Sequence, residues 1–310
     1  AALNILTGKA YMPSEAKMAA QIAAGAFIGC SVEKSDIIRL KYIFKPAIIL
    51  LLAMLVLNLT MGFIIHAVSP LDLLTALMCA VPGGMSDIPL IAADMGVDAA
   101  KVTVMQFMRL LIGIGLFPSL IAMFDRKFGS HDMPMTKGAR AVSLSKNKKA
   151  DLLLTLCIAA VGGFFGKSVG MPAGILVFSM IFVIIFKLTI DHAYLPKWVK
   201  RLAQLMSGAY IGSSFAKSDL IELRCLIIPA IIIAIGYTAN CIITGQILHR
   251  FCKIPLKEAM LAATPAGATD MALISSDLGV QSSDLIVLHI IRLVVVVSIF
   301  PQIINIIGKL

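Results

Sequence analysis

Apolar residues run along this chain in long blocks parted by short polar stretches. Blocks cover 43–68, 99–124, 151–168, 171–190, 221–249 and 282–308. Each approaches or exceeds the ~20 residues a helix needs to cross the hydrocarbon of a bilayer. Two weaker blocks, 15–32 and 195–214, are rich in Ala, Gly and Ser. Each carries one glutamine (Gln21, Gln204) and a small-xxx-small pair, Gly25/Gly29 and Gly208/Gly212. Small residues let helix backbones approach closely. The pattern therefore predicts spans buried inside a bundle, away from lipid.

A third kind of segment is interrupted. Residues 71–95 read LDLLTALMCAVPGGMSDIPLIAADM, and residues 256–278 read LKEAMLAATPAGATDMALISSDL. Proline removes a backbone donor and glycine frees the chain, so neither stretch can be one continuous helix. Each predicts a short helix, a break and a second short helix. Ser86 and Thr269 are expected N-caps of the second halves, with Asp87 and Asp270 at the positive helix end. Gly96 and Gly279 are expected stops. Half-helices of about ten residues, ~15 Å at 1.5 Å per residue, reach halfway through the hydrocarbon.

Shifted by 183 positions, the chain lies on itself without a gap. Tyr11 and Pro13 meet Tyr194 and Pro196; Lys34-Ser35-Asp36 meets Lys217-Ser218-Asp219; Pro46 meets Pro229. Pro82, Gly84, Asp87, Asp94 and Gly96 meet Pro265, Gly267, Asp270, Asp277 and Gly279. Arg109 meets Arg292, and Phe117-Pro118 meets Phe300-Pro301. The chain is a tandem duplication: a first repeat over 1–127, a basic linker over 128–150 and a second repeat over 151–310. The second repeat carries two extra helices at its front, 151–168 and 171–190. A matching pair is expected ahead of the first repeat, either missing from the chain as given or lost from the protein.

Charge sets the orientation. The loop 33–45 holds Lys34, Arg39, Lys41 and Lys45, and its counterpart 216–228 only Lys217 and Arg224. Conversely, 66–72 has no Lys or Arg, whereas 249–257 has Arg250, Lys253 and Lys257. Basic loops stay in the cytoplasm, so the repeats are expected to have opposite orientations. That needs an odd number of crossings per unit, which five spans and a re-entrant hairpin supply. Interrupted segments at matching places in two repeats point to a transporter's binding site. The segment 126–149, with seven Lys and Arg, is expected in the cytoplasm.

Composition narrows the classes. Of 310 residues, 59% are apolar and 14% charged, against about 45–50% and about 25% in soluble domains. This excludes an ordinary cytosolic enzyme, a disordered chain and a disulfide scaffold, and leaves an all-α polytopic membrane protein whose first partner is the lipid bilayer. The net charge of +10 sits in loops rather than on one face, so no nucleic-acid partner is expected. The six cysteines form no CxxC pair and the five histidines have no metal-ligand spacing, so no metal, cofactor or catalytic grouping is expected.

Candidate chemistry gathers at the breaks. Arg109 and Arg292 lie about 11 residues into their helices, hence roughly 16 Å deep. A guanidinium at that depth must meet a partner or a wet cavity. Free N–H groups at the hairpin tips favour anions, and arginine clamps carboxylates. The candidate substrate- or ion-binding residues are Gly83, Gly84, Ser86, Asp87, Gln106 and Arg109 in the first repeat. Gly267, Thr269, Asp270, His289 and Arg292 are their counterparts in the second, with Gln21 and Gln204 along the path. The alternative role of the arginines is to neutralise Asp87 and Asp270. Gln106 and His289 hold equivalent places one turn before each arginine. Asp94, Asp98 and Asp277 are expected near the interface, solvated.

The paired PGGMSDIPLIAADMGVDAAKVTVMQFMRLL and TPAGATDMALISSDLGVQSSDLIVLHIIRLV, on a duplicated membrane chain, resemble the bacterial AbrB family of integral membrane proteins. The resemblance spans 11–310. Members carry labels such as regulator of gene expression or ammonia monooxygenase. The resemblance implies a multi-pass protein of the bacterial inner membrane and supplies no substrate. Two inverted copies with re-entrant hairpins are also similar to elevator-type secondary carriers of organic anions, a likeness of architecture.

The expected function is ion-coupled secondary transport of a small organic anion, coupled to Na⁺ or H⁺. A homodimer would suit a carrier moving against a fixed scaffold, though no residue pattern marks an interface. A membrane sensor or regulator is the alternative, and a membrane monooxygenase the more remote one. A single cysteine placed at Ser143 in a variant without native cysteines should react with an impermeant maleimide in inverted vesicles only. Labelling in intact spheroplasts overturns the assigned orientation.

Overall fold

A computed structural model describes residues 4, 10–128, 148–190, 193–215, 223–265, 275, 280 and 282–309. Among these residues the chain is helical, with no strand. The helices are α1 (Ser14–Ser31), α2 (Lys34–Val68), α3 (Leu73–Cys79), α4 (Asp87–Asp94), α5 (Ala99–Phe128), α6 (Lys148–Val169), α7 (Gly174–Ile190), α8 (Lys197–Ser214), α9 (Ile227–Cys252), α10 (Leu256–Ala263) and α11 (Ser283–Ile307). Five helical stretches are long and apolar enough to cross a membrane: Lys34–Val68, Ala99–Phe124, Ala150–Val169, Arg224–Cys252 and Asp284–Ile307. Ile38, Leu52, Val56 and Phe63 on α2, and Ile231, Ile235 and Ile243 on α9, are exposed. So much outward apolar surface needs lipid, not water, as its solvent. This is an all-helical membrane protein.

The block 171–190 gives a helix of 17 residues rather than a full span. Its beginning is spent on a tight turn, with Gly170 and Ala173 both at positive φ. The stretch 33–45, expected as a loop, is instead Glu33 followed by the opening turns of α2. A reciprocal capping box starts that helix: Glu33 accepts from the backbone at Asp36, and Asp36 accepts from Glu33 N at 2.9 Å. Two orphan helix donors are thereby satisfied, and the helix runs on through Pro46. In the second copy a 3₁₀ turn, Leu223–Leu226, precedes α9. Pro229 then falls in the first turn of α9, where a missing N–H costs nothing.

Close backbone packing follows the small residues. α1 lies against α6, α7 and α8. A Cβ added at Gly25 would stand 2.5 Å from the Leu176 carbonyl oxygen, and one at Gly29 would stand 2.8 Å from that of Met180. The expectation that α1 is packed inside the bundle holds, with Ala16, Ala20, Gln21, Gly25, Ala26 and Gly29 buried. Its counterpart α8 differs. Gly208 has open space, Gln204 is exposed, and Trp198, Leu202 and Leu205 face outward.

Several contacts recur at the 183-residue offset. His66 Nδ1 lies 2.8 Å from Leu71 O, and His249 Nδ1 lies 2.7 Å from Ile254 O. Gly62 admits Leu77, and Gly245 admits Met260. Asn58 donates to Leu77 O at 3.0 Å, while Cys241 reaches Met260 O at 3.5 Å. Others are reciprocal between copies: Lys17 stands 5.5 Å over the Tyr210 ring and Lys200 stands 4.3 Å over that of Phe27. Residues 17 and 200, and 27 and 210, are equivalent positions.

The α6–α7 contact can be tested at its tightest point. A Cβ at Gly166 would lie 2.2 Å from the Gly174 carbonyl oxygen, whereas Gly115 has nothing within 4 Å. Gly166→Ala should cost about 1–3 kcal/mol through backbone displacement, seen as a lowered unfolding midpoint in detergent. Gly115→Ala should leave it unchanged or raised.

Candidate functional site

The first interrupted segment consists of α3, a non-helical stretch at 80–86, and α4. Asp72 caps the start of α3, accepting from Thr75 N at 2.9 Å. α4 ends as predicted: Gly96 takes positive φ, and Val97 N donates back to Ala92 O at 2.9 Å, the outer bond of a Schellman turn. Ser86 stands at the N-cap position of α4 but makes no side-chain cap bond. Its hydroxyl donates to Asp87 Oδ1 at 3.2 Å, a carboxylate being the stronger acceptor within reach.

Interrupting a helix strands its last carbonyls, and in hydrocarbon no water satisfies them. Side chains from three surrounding helices take up this task. Asn58 of α2 donates to Leu77 O. Gln106 of α5 donates to Met78 O at 3.4 Å and to Val81 O at 3.1 Å. Tyr237 of α9, from the other copy, donates to Ala80 O at 2.8 Å. Arg109 of α5 donates to Gly83 O. The carbonyls where α10 ends are served in the same manner. Arg292 of α11 donates to Ala262 O at 3.3 Å and Thr264 O at 2.5 Å. Asn240 of α9 donates to Ala263 O at 3.3 Å.

Both arginines are therefore buried, at 3% and 4% exposure, with a cation facing the negative end of a half-helix. The alternative pairing of Arg109 with Asp87 is not formed. Asp87 receives Ser86, while Arg109 turns to the backbone. Arg109 and Arg292 thus occupy equivalent turns of α5 and α11.

The remaining candidates divide. Gly83 packs where a Cβ would meet Ile88 at 2.4 Å and Val296 of α11 at 3.6 Å, and Gly84 sits against the Asp87 carboxylate. His289 is buried, and neither ring nitrogen has a hydrogen-bond partner; Gln106 Oε1 is likewise unpartnered. Gln21 lies away from the arginines in its bonding, donating to Asp94. Gln204 is exposed on α8. Gly267, Thr269 and Asp270 lie outside the described residues.

Sequence reasoning missed Tyr237, Asn58, Asn240 and Asp94. A phenol or amide inside an apolar block has to find a partner, and that was the available signal. Asp94 ends α4 and is exposed, as expected, yet its carboxylate also has partners. It pairs with Lys17 at 2.6 Å and receives Gln21, tying α4 to α1. Lys17 and Gln21 are four apart and so share one face of α1. Asp98 is engaged as well, pairing with Lys101 at 3.1 Å.

A family model described as "Transition state regulatory protein AbrB" matches residues 1–308. Among curated proteins, "Uncharacterized protein YhjN" of Bacillus subtilis (strain 168) is 27% identical over 294 residues, which cover 91% of this chain and 76% of that protein. "Putative regulator AbrB" of Escherichia coli (strain K12) is 26% identical over 292 residues, covering 91% and 80%.

The load on the break can be measured at Tyr237. Tyr237→Phe leaves the Ala80 carbonyl unpaired in a buried place, at a cost of about 1–3 kcal/mol. The unfolding midpoint in detergent should fall accordingly, while Tyr42→Phe, at a residue 81% exposed, should not move it.

Proposed function

The chain belongs to the AbrB family, and from that footing we propose that it is an ion-coupled secondary transporter of a small organic anion, a carboxylate above all. Two inverted repeats would place the cargo at the hairpin breaks, in a bacterial inner membrane, with 126–149 in the cytoplasm. Alternating access would come from one bundle moving against the other. No enzyme chemistry and no cofactor enter this reading; the coupling ion is Na⁺ or H⁺, and a homodimer would provide the scaffold.

One observation carries it. Two buried arginines, from equivalent turns of α5 and α11, each donate to backbone carbonyls where an interrupted segment leaves its helix. A buried guanidinium is costly and favours a carboxylate as partner. The interrupted helices beside them supply backbone groups that only a buried or wet environment tolerates.

The second reading is a membrane sensor that binds the same anion and signals through 126–149; the printed name of the Escherichia coli relative speaks for it. A thermal-shift screen of small carboxylates, with and without sodium, finds the ligand. Uptake of that labelled acid into proteoliposomes then separates the two. The carrier accumulates it and the sensor binds it without accumulation. Arg109→Gln and Arg292→Gln should each weaken binding at least tenfold, about 1.4 kcal/mol; unchanged affinity in both folded variants removes the arginines from the site.

A further inference from the structure

Equivalent positions in the two copies are occupied by residues of different chemistry, and the difference falls at the centre. Gln106 and His289 are such a pair, each one turn before its arginine. Gln106 has a structural task, holding Met78 O and Val81 O of the first break. The corresponding carbonyls of the second break are those of Leu261 and Thr264. Leu261 O accepts from Thr264 N at 3.3 Å, and Thr264 O accepts from Arg292. The imidazole is left with no backbone to hold. It is 4% exposed and neither nitrogen is bonded.

A neutral imidazole has one donor and one acceptor, and burying both unmatched is costly and rare. Arg292 lies three residues on, on the same face of α11. Several titratable groups on the elements packed against α11 have partners of their own. Glu258 of α10 is bonded to Ser282, and Asp87 of α4 to Ser86. From α2, Asp36 is held in its capping box; from α1, Lys17 is paired with Asp94. Cys79 of α3 is a buried thiol. No hydrogen bond reaches either ring nitrogen.

We propose that His289 is the proton carrier of this site, so that the anion held by Arg292 enters together with one proton bound by the imidazole. This rests on the carrier reading above and selects H⁺ as its coupling ion. The proton passes from solution to the unbonded ring nitrogen, and the resulting N–H groups donate to the incoming carboxylate. The anion cancels the repulsion between imidazolium and Arg292. Each ligand therefore raises the affinity for the other, as linkage requires. The first copy cannot do this, because Gln106 does not titrate. One proton is taken per cycle, through the second copy alone.

The test is calorimetry of the full chain in nanodiscs, with acetate, succinate and citrate as separate probes in buffers of different ionisation enthalpy. Between about pH 7 and 8.5, affinity should fall roughly tenfold per unit rise, with about one proton taken up per ligand bound. His289→Gln, which installs the residue of the first copy, should bind more weakly with no pH slope and no proton uptake; His289→Asn serves if that variant does not fold. Binding by the native chain without proton uptake, or a slope retained in either variant, overturns this proposal and leaves the carrier reading standing. Binding by none of the three acids at any pH overturns both.

Discussion

A carbonyl released from a helix inside a bilayer has no water to turn to, and the rest of this protein is arranged around that constraint. Where α3 ends at Cys79 and α10 ends at Ala263, a small group of backbone acceptors is left inside the bundle. Asn58, Gln106, Arg109 and Tyr237 answer for the first break, and Asn240 and Arg292 for the second. A guanidinium at such depth is itself costly. Placing it on the carbonyl end of a half-helix lets the two costs offset each other: the charge gains acceptors, and the carbonyls gain donors.

The same arrangement couples the copies. Tyr237 belongs to the second copy yet holds a carbonyl of the first, and Arg39 of α2 pairs with Asp284 of α11 at 2.9 Å. Lys17 and Lys200 each lie over an aromatic ring of the opposite copy. The first interrupted segment is thus held by side chains from both halves of the chain, and the arginines sit at matching turns of α5 and α11.

Much of this was legible from residue order. The Pro-Gly breaks announced the half-helices around 79–87, and Gly96 announced the end of α4. The matched arginines announced a buried polar centre. The length of α2 was not legible, because a dense basic stretch reads as a loop until the Glu33–Asp36 capping box is recognised as a helix start. The pairing of Asp94 was not legible because its partner, Lys17, lies 77 positions upstream on another helix. Long-range pairing of this kind leaves no local trace. Gln21 and Gln204 looked interchangeable in sequence, yet one is buried and the other exposed, since α6 and α7 cover α1 and nothing among the described residues covers α8 in the same way.

The crosswise lysine contacts have a consequence for how a duplicated chain ages. In a dimer of identical halves, Lys17 and Lys200 would meet the same ring; here one meets tyrosine and the other phenylalanine. Fusion lets each half of a formerly reciprocal contact drift by itself. Once they have drifted, exchanging the roles of the halves no longer returns the molecule to a state of equal energy. The two sides of the crosswise pairing differ already in chemistry, since the Tyr210 ring carries a hydroxyl that the Phe27 ring lacks.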